Sequence, residues 1–413
     1  MSRAHRRTAA CRRILSLVRE KGEVSRGEIA RAFAMDKKAV SVAVEALRAE
    51  GILAVRGLRE SRAGRRSESL SLNGGHAATL GIDLGATHVI GVLADLAGAP
   101  LVRTSFDIRP GLPAELILDQ MKRIAARLLS TGGAPPVRGA GVCVPGFIQP
   151  EEGISLVAEN ISGWTNVHVR ESLEQELGIS VRVEDSSRAF AAAERWLGQA
   201  RGVADFILLD LGYGIGMGMY CESRLYRGAG WKSGEIGHTV VAPGGLPCAC
   251  GGRGCLETVA SGRAIARQAA EGIRDGRSAL LRDLTKGIPD AATAQDVGVA
   301  AGMQDAWAVG LLQEAGAAVG LALANVAAIL NPSVVVLGGG LVSSGPVFID
   351  AVKEAVARHL MPGMRSDTRI IVSGLGIDGP ARGMALLASE GILDGTREGE
   401  EGLEVSGSPS DSA

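Results

Sequence analysis

Glu235-Ile236-Gly237-His238, nine further residues, then Cys248-Ala249-Cys250-Gly251-Gly252-Arg253-Gly254-Cys255-Leu256-Glu257: the reading of this 413-residue chain turns on that stretch. One imidazole and three thiols in so short a span make a closed tetrahedral donor set, which suits Zn2+ in a structural role and leaves no open position for a water. The glycines between them let the backbone wrap closely around an ion. Three incidental buried cysteines are the alternative. Against it stands the crowding of Cys248, Cys250 and Cys255 into eight residues, while Cys11, Cys143 and Cys221 are scattered. In a reducing compartment such crowding points to metal rather than disulfides.

On both sides of that stretch, short apolar strands alternate with Ala-rich helical segments. Strands are expected at 79–83, 89–95, 139–144, 181–183, 206–211 and 334–337, and helices at 113–129, 187–197, 261–272 and 308–330. The alternation reads as an α/β fold. Two glycine-rich strand turns, Asp83-Leu84-Gly85-Ala86-Thr87 and Asp210-Leu211-Gly212-Tyr213-Gly214-Ile215-Gly216, lie far apart in the chain and suggest two similar lobes around a cleft. Hydrophobic residues at 46%, aromatics at only 3% and 58 glycines describe a core of small aliphatic side chains and exclude wholesale disorder. The last twenty residues, from Asp394, hold almost nothing apolar and are expected to be disordered. No apolar run reaches the ~18 residues that cross a bilayer, and the N-terminus lacks the apolar stretch of a signal peptide. A cytoplasmic protein without a membrane partner is expected.

Upstream of residue 77 the texture changes. Ile14, Leu15, Leu17 and Val18 stand at helical spacing, and Gly22 ends the pattern. Ser25 precedes Glu28 by three residues, as in a capping box, and Ile29, Ala30 and Phe33 give the next helix its apolar side. Asp36 caps a third helix that runs to about Glu50 with Val40, Val44 and Leu47 inward. Short β-like runs at 52–55 and 69–72 flank an arginine-rich loop at 57–66. Three helices and a hairpin make a winged helix-turn-helix. Through His76 this unit carries 17 Lys/Arg against 8 Asp/Glu, so the near-neutral total of −1 hides a basic head on an acidic body. That asymmetry suits a phosphate-binding head on a sensor. Lys37, Lys38 and Ser41 at the start of the third helix would reach bases or phosphates of double-stranded DNA. Arg62, Arg65 and Arg66 would follow a phosphate track or a narrow minor groove. A protein-interaction module is the alternative reading of so small a unit.

From about Thr79 to Leu393 the chain resembles the ROK family of sugar kinases, sugar-responsive repressors and proteins of unassigned role, through EIGH paired with CxCGxxGCLE. The resemblance implies an actin-like ATPase (ribonuclease H-like) fold of two α/β lobes. It implies zinc on His238, Cys248, Cys250 and Cys255, and a sugar facing Glu235, Glu257, His238 and Asn160, the last in an N-x-x-G-W loop that ends at Trp164. Plain core packing is the alternative for Trp164. Asp83, Gly85 and Thr87 resemble a DxGGT phosphate loop, Gly212 and Gly214 the family's GTGxG turn, and Gly338 and Gly339 its nucleotide-side turn. Family members with a winged-helix extension look like transcriptional regulators.

The kinase reading breaks at Val183-Glu184-Asp185-Ser186-Ser187-Arg188. Kinases of the family end a strand in Asn-Asp, with a Glu eight residues after the Asp that takes the sugar proton. Glu194 lies eight residues beyond Ser186, so Asp185 falls at the Asn and Ser186 at the base. A serine hydroxyl is not a base at neutral pH, and loss of a positioned base costs on the order of 10²–10⁴ in rate. A one-residue bulge that swings Asp185 into place is the escape. Tyr213 for Thr and Ala86 for Gly alter the nucleotide side as well, so ATP and Mg2+ are expected not to be used. Asp185 stays a sugar contact, and Asp185 and Arg188 could select an acidic sugar. The expected organisation is a winged helix-turn-helix at 1–76, a ROK domain at 77–393 and a tail at 394–413. The expected function is a sugar-responsive DNA-binding regulator, acting as a homodimer or dimer of dimers on an operator. An active sugar kinase with a DNA-binding head, and a ligand-independent DNA-binding scaffold, are the rivals.

Overall fold

The computed structural model describes residues 7–60, 66–108, 112–158, 161 and 163–395. The head comprises α1 (Ala9–Lys21), β1 (Glu23–Val24), α2 (Arg26–Phe33), α3 (Lys37–Ala49), β2 (Leu53–Glu60) and β3 (Arg66–Leu72), with sheet order β1-β3-β2. Its helix starts are set locally. Thr8 accepts from the Cys11 amide, and Asp36 accepts from those of Lys38 and Ala39. Ser25 and Glu28 close a reciprocal capping box. Ile14, Val18, Ile29, Val40, Val44, Leu47 and Leu70 fill the core beneath. The hairpin strands run further than the apolar pattern suggested. Cross-strand pairing continues to Glu60 opposite Arg66, past an irregularity at Gly57, whose φ of +147° suits glycine. Arg66 is therefore a strand residue, whereas Arg62 and Arg65 lie outside the described residues.

The first lobe holds β4 (Ala78–Leu84), β5 (His88–Asp95), β6 (Pro100–Asp107), α4 (Ala114–Leu129), β7 (Val137–Val144), the small strands β8 (Phe147–Gln149), β9 (Ile154–Val157) and β10 (Thr165–Val167), α5 (Val169–Leu177), β11 (Val181–Asp185) and α6 (Ser186–Trp196). The second holds β12 (Phe206–Leu211), β13 (Ile215–Cys221), β14 (Arg224–Leu225), α7 (Leu256–Ala260), α8 (Gly262–Arg274), α9 (Ala279–Leu284), α10 (Ala294–Gly302), α11 (Ala306–Leu330), β15 (Val334–Gly338), α12 (Pro346–His359), β16 (Arg369–Val372) and α13 (Gly379–Asp394). The two main sheets share one topology. Orders β11-β7-β4-β5-β6 and β14-β13-β12-β15-β16 each join an antiparallel three-strand meander to two parallel strands. This is the two-lobed actin-like arrangement, and it places the glycine turns that follow β4 and β12 at equivalent points.

The lobes exchange helices. α6 leaves the first lobe's β11 yet packs on the second sheet, where a Cβ on Gly218 would overlap the Ser187 carbonyl. α13 follows the second lobe's β16 yet packs on the first sheet, where Thr79 Oγ1 donates to the Ala385 carbonyl at 2.8 Å. The two helices cross so closely that a side chain on Gly383 would strike the Ala189 carbonyl. By length and composition alone α11 would pass for a membrane-crossing helix, although Gln313, Glu314 and Asn325 interrupt its apolar run, in keeping with the expectation that no unbroken run is long enough. Half of that window is buried in the second lobe, where Gly316 and Gly320 let α12 approach.

The head is docked on the body. Leu96 and Leu393 complete its core. The Arg19 guanidinium donates to the Leu386 carbonyl at 2.8 Å and to Ser389 at 3.1 Å, both on α13. Arg195, at the end of α6, pairs with Glu20 at 3.1 Å. Arg19 and Arg195 both lie over the Trp196 ring, 4.6 and 4.8 Å from its centroid. Buried Nε of Arg19, Nε and Nη1 of Arg195 and Nε1 of Trp196 find no hydrogen-bond partner among the described residues.

Candidate functional site

The cleft is built where β4, β7, β11 and β12 end. Asp83, last but one in β4, is nearly buried, and parallel pairing sets it opposite Cys143 of β7. Its Oδ1 accepts from Cys143 Sγ and from Ser186 Oγ, each at 3.2 Å, and Oδ2 lies 3.3 Å from His88 Nε2. Burial works against the His88 cation, but the bond to Asp83 outweighs it and its pKa is raised. Asp210, at the matching point of β12, is pushed up to about 7 by burial and then by Asp83 and Asp185. Desolvation likewise raises Asp185. Gly85 closes its turn through its amide to the His88 carbonyl at 2.8 Å, and Thr87 beside it is exposed. Gly212 binds the Gly214 carbonyl at 3.0 Å, and Gly339, at φ +85°, packs on the end of β12 beside Gly338. Tyr213 is exposed, with the Arg263 guanidinium 6.0 Å from its ring centre.

β11 carries no bulge ahead of α6. β11 pairs with β7 in unbroken register from Val181 to Asp185, so Asp185 caps α6 by accepting from the Arg188 amide at 3.0 Å, and Ser186 is the helix's first residue. Arg188 is paired within the protein. It is buried, with Nε on Glu184 at 2.8 Å and Nη1 on the Ser233 carbonyl at 3.2 Å. The second oxygen of Glu184 takes Arg227 Nε at 2.8 Å, and the Arg227 guanidinium lies 5.1 Å from the Trp231 ring centre. Burial alone would raise the Glu184 carboxyl, but Arg227 and Arg188 overcome it and hold it at about 2. Nothing in the sequence announced this pair of arginines on one carboxylate, nor Cys143 and His88 on Asp83. Strand register and the lobe crossing bring them together.

Glu257 is buried at the start of α7, accepting from the Ile215 amide at 3.1 Å and paired with Arg263 at 3.3 Å. Glu235 is half-exposed, with an oxygen 3.9 Å from His238 Nε2. Asn160 lies outside the described residues. Trp164 takes the core alternative, buried in the first lobe with its Nε1 donating to Ser155 at 2.8 Å. The four metal-type donors do converge. His238, Cys248, Cys250 and Cys255 place one ligand atom each within 4.8 Å of one another. Cys250 and Cys255 sulfurs are 3.7 Å apart, close to the ~3.8 Å edge of a tetrahedron built on 2.3 Å Zn–S bonds. His238 Nδ1 faces Cys248 Sγ at 3.5 Å, which leaves Nε2 toward Glu235, as a metal-bound imidazole commonly orients. Gly254, at φ +70°, sits so tightly on the Ala242 carbonyl that a side chain would break the loop. In the head, Lys37, Lys38 and Arg66 are exposed and Ser41 is half-buried.

A ROK family model matches residues 79–391. The xylose repressor of Bacillus subtilis (strain 168) is 26% identical over 384 residues, covering 92% of this chain and 95% of the repressor. The glucokinase of Thermotoga maritima is 33% identical over 313 residues, covering 76% of this chain and 98% of the enzyme. A crystal structure of a ROK family transcriptional regulator, homolog of the E. coli MLC protein, has TM-score 0.77 and 24% identity over 93% of this chain and 96% of its own. A Streptomyces griseus ROK glucokinase with glucose and AMPPNP has TM-score 0.70 and 30% identity over 76% of this chain and 100% of its own. The regulators thus match through the head and the kinases match only the body. From β4 to α13, this chain belongs to the ROK family.

Proposed function

We propose that this protein is a DNA-binding transcriptional regulator, in sense a repressor, whose body binds a sugar and no longer phosphorylates it. The observation that carries the reading is Ser186. At the first position of α6 it spends its hydroxyl proton on Asp83, where the family's kinases hold the carboxylate that receives a sugar proton. Glu235, Glu257, His238, Asp185 and Asn160 hold the sugar hydroxyls, for which carboxylates and amides are suited. His238, Cys248, Cys250 and Cys255 hold one structural zinc, which organises the loop between Glu235 and Glu257. Lys37, Lys38, Ser41, Arg62, Arg65 and Arg66 contact an operator as part of a dimer, inside the cell.

α6 supplies a physical route from sugar to head. Its start carries the cap Asp185 and Ser186, and its last residues carry Arg195 and Trp196, which touch α1. Ligand that closes the lobes moves this helix against α13, and the contacts on Arg19 and Glu20 favour one head position. Switching requires that the two positions differ in sugar affinity. The test is operator affinity of the full chain, measured with and without xylose, glucose and other aldoses; a sugar that binds yet leaves DNA affinity unchanged rejects the coupling. The glucokinase relatives favour one rival, an active kinase, and hexose-dependent ATP consumption at ordinary enzyme rates would establish it. A ligand-independent scaffold predicts no thermal shift with any sugar.

A further inference from the structure

The outer face of α3 offers little that could read bases by hydrogen bonds. Val40, Ala43, Val44 and Leu47 turn inward, and beyond Lys37 and Lys38 the exposed residues are Ala39, Val42, Glu45, Ala46 and Ala49. Glu45 is engaged elsewhere. Its carboxylate binds Arg26 at 2.6 Å and Arg48 at 3.1 Å, and Arg26 also reaches Glu68 of β3 at 3.1 Å. Apart from Lys37, Lys38 and half-buried Ser41, the rest of that face is methyl groups, and Val42 is 65% exposed, the most exposed large apolar side chain of the head among the described residues. A β-branched residue on an exposed helix face lowers helix propensity and buries nothing in the folded chain.

We propose that Val42 is a specificity-determining residue that packs against the C5-methyl group of thymine in the major groove, so that this head selects its DNA by methyl contacts, with Ala39 and Ala46 beside it. The inference rests on the DNA-binding reading above. The occupant follows from charge. Exposed Lys37 and Lys38 stand at the opening of the same helix and exposed Arg66 on the hairpin, in a head with 17 basic against 8 acidic residues through His76. A polyanion is what such a surface attracts, and the N-terminal turns of the second helix of a helix-turn-helix are those that meet base edges. In the major groove only thymine presents a methyl group, and an apolar side chain reads it by excluding water. Val42 lies one turn beyond Lys38, so lysines on phosphates or guanines and valine on thymine act from adjacent turns.

The experiment uses the full chain. Duplexes are selected from a randomised pool, and each thymine of the selected duplex is replaced in turn by uracil, which deletes one methyl group and keeps every hydrogen bond. The expected result is a loss of about four-fold at one or two positions per half-site, the worth of one buried methyl. Val42→Ala, a change to a better helix former at an exposed site, removes that sensitivity and keeps the salt dependence set by the lysines. Uracil tolerated at every position, or methyl sensitivity retained in Val42→Ala, overturns the proposal. Failure to recover any duplex from the pool overturns the DNA-binding reading itself, and the proposal with it.

Discussion

Replacing Glu184 by Gln tests whether the cleft is held by a buried charge network. Glu184 is 1% exposed and carries two guanidiniums at 2.8 Å, Arg188 from α6 and Arg227 from the loop after β14. Removing one partner of a buried ion pair costs about 3–5 kcal/mol, because the remaining charges stay buried without compensation. The carboxyl's own ionisation gives a matching figure: held at about 2 in place of its ordinary 4.5, it contributes about 3 kcal/mol at neutral pH. The folded-state value is the depressed one, so the contribution is complete above pH 4.5 and fades as pH falls toward 2. Urea unfolding of wild type and Glu184→Gln should therefore differ by about 3 kcal/mol at pH 7 and by about 2 kcal/mol at pH 3.5. The loop at 226–233 should loosen with it, since Arg188 also holds the Ser233 carbonyl. A difference under about 1 kcal/mol at pH 7, or one that does not shrink in acid, refutes the assignment of this carboxylate as an ionised clamp.

Metal analysis should find about one zinc per chain, and Cys255→Ser should lower both metal content and melting temperature; undiminished stability after chelation contradicts a structural ion. Trp196→Ala, which empties the space between α6 and α1, should cost about 1–3 kcal/mol, speed proteolysis between head and body, and flatten the response of DNA affinity to sugar. An unchanged response locates the coupling elsewhere. With ATP, Mg2+ and hexose, wild type should turn over at least about 10²-fold more slowly than Ser186→Asp, which restores a carboxylate at the start of α6. Equal rates show that Ser186 is not what limits phosphoryl transfer.

Several features were legible in the sequence because each depends on neighbours within a few residues. Thr8, Ser25 with Glu28, and Asp36 cap the three head helices through bonds that span two or three positions. The metal-type cluster was legible for the same reason, three of its ligands lying within eight residues and the fourth beside a glycine turn. The two glycine-rich strand turns marked two lobes correctly because each closes the end of a strand, β4 or β12, at the matching point of its sheet.

Tertiary structure alone decided the rest. Which carboxylates meet which cations in the cleft follows from the pairing of β4 with β7 and β7 with β11, and from loop 226–233 folding back over Glu184. No local period encodes those partners. That Trp164 is core, that Arg188 is bound to Glu184, and that α6 reaches the head while α13 supports it are consequences of two helices crossing between lobes. The crossing is fixed by the close approach of Gly383 to Ala189, far apart in the chain. Short-range hydrogen bonding and turn sterics write themselves into adjacent residues, whereas contacts across nearly two hundred residues depend on register and packing that exist only once the chain has folded.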